Sequence, residues 1–233
     1  MGRSTPGSTS STTSRPTKKA DLEQSDTPRE LTIDEAVAFA ILLQKNEQFA
    51  EAQELYRRVL DTAPNHPDAL HYAGVLAHQR GHNDEAVALI ERSLALAPGR
   101  ADCHNNLGII FQSTGRLQAA IDAYRQAIAI DPNHANAHSN LGVLLRATGK
   151  PLEAEAAYRT AIRLNPEHVD AYTNLGILLN ALKRTREAAE CYCKVITLSP
   201  KHREAGRLLA LAHCVLGDVD EAVNIFEEWL DEE

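Results

Sequence analysis

The stretch ANAHSNLGVLLRATGKPLEAEAAYRTAIRLNPEH occupies residues 135–168, and its pattern recurs every 34 residues on both sides. A fixed period of this length is the signature of a repeat architecture. With Ala135 as position 1, position 8 is Gly142, and the same register gives Gly74, Gly108 and Gly176. Position 20 is alanine in six copies: Ala52, Ala86, Ala120, Ala154, Ala188 and Ala222. Position 32 is proline in five: Pro64, Pro98, Pro132, Pro166 and Pro200. Position 24 holds Tyr56, Tyr124, Tyr158, Tyr192 and Phe226, with Ile90 the exception. Position 7 is mostly leucine: Leu107, Leu141, Leu175 and Leu209. From Ile33 onward the register needs no gap.

Each copy reads as two helices of about 14 residues, an ordinary globular length. Gly142 and Ala154 are expected to face each other where the helices cross, with Tyr158 and Leu141 filling the space beside them. Gly149 sits just past the first helix, where a left-handed cap favours glycine. Pro151 falls in the first turn of the second helix, where its missing N–H costs little. Pro166 ends that helix. The Leu-Gly, Ala, aromatic, Pro order closely resembles the tetratricopeptide repeat (TPR) family, and the resemblance covers everything after about residue 32. It implies an all-α fold: a right-handed superhelical solenoid of antiparallel helix pairs. The units are 33–66, 67–100, 101–134, 135–168, 169–202 and an incomplete 203–233. Residues 1–31, rich in Ser, Thr and Pro, read as a disordered leader, because they cannot bury enough apolar surface to offset ordering entropy.

Composition narrows the function. Hydrophobic residues make up 43% of the chain but aromatic ones only 5%, which suits helices packed through Ala and Leu. Of a net charge of −8, the first twenty residues hold +4 through Arg3, Arg15, Lys18 and Lys19, leaving −12 on the remainder. Phosphate binding depends on Lys and Arg, so nucleic acid is not an expected partner. Neither is a membrane: no apolar run is long enough to span one, and no signal-peptide core is present. A cytoplasmic location is expected. Met1-Gly2 is not a myristoylation site, since Pro6 stands where Ser or Thr is required. Cys191 and Cys193 point about 200° apart on a helix and cannot share a metal. They read, with Cys103 and Cys214, as reduced thiols filling small spaces.

Thr32-Ile33-Asp34-Glu35 is a capping-box pattern that opens the first helix. Ala40 and Glu47 replace glycine at positions 8 and 15 of the first copy, which is expected to act as the N-terminal cap of the array. Lys183 replaces glycine at position 15 of the fifth, so that turn is expected to differ slightly. At the other end Phe226, Trp229 and Leu230 leave one side of the last helix apolar. Three explanations stay open: a fragment of a longer protein, pairing with a second copy through this edge, or a tolerated edge. The last copy also resembles the region where some bacterial TPR arrays lead into a C-terminal enzymatic domain.

In TPR arrays the first helices line a concave groove. There, position 6 carries Asn106, Asn140 and Asn174 in succession; position 2 carries Asp102, Asn136 and Asp170; position 9 carries Ile109, Val143 and Ile177. An Asn amide offers donors and an acceptor, so one per repeat can clamp the main chain of an extended peptide. This resembles the asparagine ladder of O-linked N-acetylglucosamine transferases, matched at those three positions only. The alternative is that each Asn bonds the neighbouring helix. Acids at position 2 exclude the family's clamp for acidic chaperone C-termini. His66, His134, His168 and His202 recur at position 34, one per turn, too far apart to share an ion. No metal or cofactor is expected, and no nucleophile elbow, phosphate loop or paired carboxylates are found. The sequence therefore predicts a non-catalytic module binding an extended peptide or partner protein. The alternatives are a substrate-recruiting segment of a larger methyltransferase or glycosyltransferase, and a homo-oligomeric scaffold.

Overall fold

The computed structural model describes residues 31–230, without the side chains of Phe226, Glu228, Trp229 and Leu230. The expected leader and the side chains of the expected C-terminal edge therefore lie outside the described residues. Within them the chain is all helical. The first helices of the six copies are α1 (Ile33–Lys45), α3 (Pro67–Gln79), α5 (Ala101–Ser113), α7 (Ala135–Ala147), α9 (Val169–Ala181) and α11 (Arg203–Leu216). The second helices are α2 (Phe49–Thr62), α4 (Asn83–Leu96), α6 (Leu117–Ile130), α8 (Pro151–Leu164), α10 (Thr185–Leu198) and α12 (Val219–Leu230). Each helix packs on the next along the chain. The core is accordingly a series of clusters, one spanning α7 to α12 and another α3 to α7, with two smaller ones around α1 to α3. This is how a solenoid is stabilised, unit by unit through neighbour interfaces.

The local signals explain the elements. Thr32 and Glu35 form the capping box: Glu35 N–H donates to Thr32 Oγ1 at 3.2 Å, and Thr32 N–H to Glu35 Oε2 at 2.9 Å. Ala52, Ala86, Ala120, Ala154 and Ala188 are fully buried at the helix crossing. Gly142 meets not Ala154 but the ring of Tyr158: a methyl group on Gly142 would lie 2.7 Å from the ring edge. The small residue at position 8 thus makes room for the aromatic at position 24. Gly108 and Gly176 serve Tyr124 and Tyr192 in the same way.

The turn at position 15 is left-handed in every copy. Gly81, Gly115, Gly149 and Gly217 have φ of 83°, 74°, 77° and 89°. Glu47 and Lys183 adopt the same conformation at φ 61° and 63°. The fifth turn therefore does not differ, because its hydrogen bonds fix it. Arg184 N–H donates to Leu179 O at 2.9 Å and Gln48 N–H to Leu43 O at 2.9 Å, matching Lys150 to Leu145 at 2.8 Å. These are the long bonds of a Schellman motif. The expectation for the first copy also needs correction. A capping repeat carries a polar outer face, but Phe39 and Leu42 are 48% and 51% exposed, because α1 has no preceding second helix to cover them among the described residues.

Candidate functional site

First helices touch the first helices of the next repeats, α1 with α3, α3 with α5, α5 with α7 and α7 with α9. No comparable contact joins successive second helices among the described residues. The first helices therefore lie on the tighter, inner curve. Positions 2, 6 and 9 share one face of each, being four and three residues apart.

The three asparagines at position 6 are half-buried but not equivalent. Asn140 donates from Nδ2 to Oδ1 of Asn105 at 3.0 Å. Asn106 donates from Nδ2 to Nε2 of His71 at 2.8 Å. Both partners occupy position 5 of the preceding repeat and are buried, Asn105 at 6% and His71 at 2% exposure. Each amide thus commits one donor to the neighbouring helix and keeps a second N–H and Oδ1. At Asn174 the preceding position 5 is Ser139, whose short hydroxyl side chain makes no such bond, and the Asn174 side chain makes none. Since His71 accepts at Nε2, its proton sits on Nδ1, which is buried without a partner. Burial, reinforced by Arg100, pushes the His71 pKa down to about 4. At position 9, Ile109 is 37% exposed, and Val143 and Ile177 are half-buried.

Three of the acids at position 2 are tied into the turns that follow them. Asp34 accepts from His66 Nε2 at 2.9 Å and Asp102 from His134 Nε2 at 3.1 Å. Asp68 pairs with Arg100. On its other side each histidine caps a first helix. His66, His134, His168 and His202 accept at Nδ1 from Ala69, Ala137, Ala171 and Ala205 N–H at 3.2, 3.2, 3.4 and 3.1 Å. A helix start leaves such donors unpaired, and a neutral imidazole can satisfy one at Nδ1 while donating from Nε2. The fourth and fifth copies break the pattern, and in the fifth Asp170 makes no bond to His202. Asn136 replaces the acid opposite His168, whose Nε2 is buried and unpartnered and whose pKa is lowered by burial. Asn136 and Asp170 are exposed.

Models of the tetratricopeptide repeat match residues 37–101 and 184–232 and, separately, 133–201, and a TPR-repeat model matches 110–149. The chain belongs to the tetratricopeptide repeat family. Among solved structures, this TPR array is similar to pilF of Pseudomonas aeruginosa at 18% identity and a TM-score of 0.76, over 86% of this chain and 97% of that one. It is similar to MamA at 25% identity and a TM-score of 0.59, over 71% and 96%. It is also similar to YrrB, described as a TPR protein with an unusual peptide-binding site, at 22% identity and a TM-score of 0.55, over 75% and 90%. No curated protein matches it.

Cys191 is buried and Cys193 exposed on the TPR helix α10, as their two-residue spacing requires. No described helix is long and apolar enough to cross a membrane, and no metal-binding cluster occurs among the described residues. Two features of the TPR array escaped the sequence reading. One is the histidine cap, whose signal was present as His at position 34 with Asp 32 residues earlier. The other is the position 5 residue beneath each asparagine, visible only once adjacent first helices are placed side by side.

Proposed function

We propose that this array is a non-catalytic protein-interaction module that holds an extended peptide or partner segment along the inner face of its first helices. The observation that carries the reading is the state of the asparagine amides. Asn106 and Asn140 are oriented by one bond each to the preceding helix, so their remaining N–H and Oδ1 are held rather than free to rotate. Asn174 keeps its whole amide. A pre-oriented donor–acceptor pair in each of two successive repeats, followed by the free amide of Asn174, matches the alternating N–H and C=O of an extended main chain. The aliphatic position 9 residues supply apolar contact beside it. Peptide binding by the similar YrrB is in keeping with this reading.

Selection of peptides from a displayed random library on the full chain, followed by binding to an Asn174→Ala variant, tests it. Asn174 makes no bond within the fold, so its truncation leaves the array intact. Loss of one or two hydrogen bonds, each about 0.5–1.5 kcal/mol, is expected to weaken selected peptides about 2- to 150-fold. Unchanged affinity in a normally folded variant removes the reading.

A further inference from the structure

The repeats are not packed equally. At position 7 the third to sixth copies carry Leu107, Leu141, Leu175 and Leu209, and at position 11 the third to fifth carry Phe111, Leu145 and Leu179. These side chains narrow the junction with the preceding repeat; that between the fourth and fifth keeps a smaller pocket of about 310 Å³, lined by Leu175, Arg159 and Arg163. The second copy has Ala73 and Ala77 at the same two positions. Between α2, α3 and α4 this leaves a cavity of about 470 Å³, floored by Ala73, Leu76, Ala77 and Leu89. That lies within the range of about 300–1,000 Å³ in which small ligands and anchoring side chains are held. None of its lining residues occupies positions 2, 6 or 9 of the inner face.

The rim carries more arginine than acid, with Arg57, Arg80 and Arg92 beside Asp61 and Glu85, the last of which lies 3.7 Å from His82. Between the fourth and fifth repeats, Arg184 is neutralised by Glu155 and Glu187, each at 2.7 Å. At the cavity, Arg57 is likewise held by Glu54 and Asp61. Arg80 and Arg92 have only neutral partners: Arg80 donates to the amide oxygen of Gln53, and Arg92 to Pro64 O at 3.1 Å. Both guanidinium groups therefore line the cavity without a carboxylate partner among the described residues. Guanidinium is the group best matched to a carboxylate.

We infer that the cavity between the first two repeats is a second binding site, taking a bulky apolar side chain of a partner protein flanked by carboxylates that pair with Arg80 and Arg92. The apolar floor sets the side chain, the two arginines set the charge, and salt weakens the interaction by screening it. This site is independent of the asparagine face.

Fluorescence anisotropy of labelled five-residue peptides with a central Glu-Phe-Glu, against Glu-Ala-Glu and Lys-Phe-Lys, on the full chain is the test. Only the first is expected to bind appreciably. Ala73→Leu, which installs the residue four other repeats carry here, and the surface double variant Arg80→Gln/Arg92→Gln are each expected to weaken it at least tenfold, whereas Asn174→Ala leaves it unchanged. Should Ala73→Leu fail to fold, Ala77→Leu and the rim variant still decide. Affinity within twofold of wild type in the folded cavity and rim variants overturns the inference. So does binding of Lys-Phe-Lys as tight as that of Glu-Phe-Glu. Residues 21–23 read Asp-Leu-Glu; a tenfold affinity gain in Leu22→Ser would assign the cavity to the chain's own leader and overturn the partner assignment.

Discussion

Glycine substituted for Glu47 and Lys183 should stabilise the array. Both residues hold the left-handed backbone that four other repeats give to glycine. For a residue with a Cβ this conformation costs about 1–2 kcal/mol. Glycine removes that cost but adds entropy to the unfolded chain, worth about 0.5–1 kcal/mol. The net gain is about 0.5–1 kcal/mol per site. Neither side chain takes part in a hydrogen bond or ion pair that the substitution would forfeit, and the Schellman bonds around them are made by the backbone. The sites lie in the first and fifth repeats and share no partner, so the gains should add, giving about 1–2 kcal/mol for Glu47→Gly/Lys183→Gly. Urea unfolding followed by circular dichroism measures this, with Gly149→Lys as the mirror experiment, expected to lose a similar amount per site. A double variant no more stable than wild type, or a Gly149→Lys protein of undiminished stability, would refute the strain argument.

Asn136→Asp should give the buried His168 Nε2 a partner and add about 0.5–1.5 kcal/mol; Asp102→Asn should weaken the equivalent bond to His134, and both are read from denaturation midpoints at neutral pH. His71 should make stability depend on pH. Its folded pKa lies below its ordinary 6.5, at about 4, so the unfolded chain binds the proton first. Its contribution is complete above pH 6.5 and is lost as pH falls towards 4, by about 3 kcal/mol. The difference in acid sensitivity between wild type and His71→Gln measures it, and equal sensitivity would contradict the buried neutral ring. Ala154→Phe should overpack the fourth helix crossing and cost about 1–3 kcal/mol, seen as a lower melting temperature.

The fold was legible because spacing alone encodes it. Small residues at positions 8 and 20, an aromatic at 24 and proline at 32 can recur at one period only if the same helix pair recurs. What stayed hidden were relations between repeats. Gly142 read as one small residue facing another, because sequence does not say that the Tyr158 ring lies over it. Lys183 read as a different turn, because the hydrogen bonds that impose left-handed geometry belong to the backbone and leave no side-chain signature. The turn histidines read only as non-ligands. The bond each makes to a helix start, and the second that His66 and His134 make to an acid 32 residues earlier, need the turn to fold the chain back. The asparagines illustrate both limits. Their alignment on one face followed from the period, but the split between Asn140, braced by Asn105, and Asn174, left free by Ser139, depends on side-chain length across an interface.

The central claim is that the inner face grips a peptide by its main chain. N-methylation scanned along a selected peptide, set against an alanine scan of the same peptide, tests it most directly. Single N-methyl groups at positions spaced one per repeat should weaken binding about tenfold or more, and that loss should shrink in Asn174→Ala, while most alanine substitutions change little. Uniform tolerance of N-methylation, with the losses confined to side-chain truncation, would contradict it.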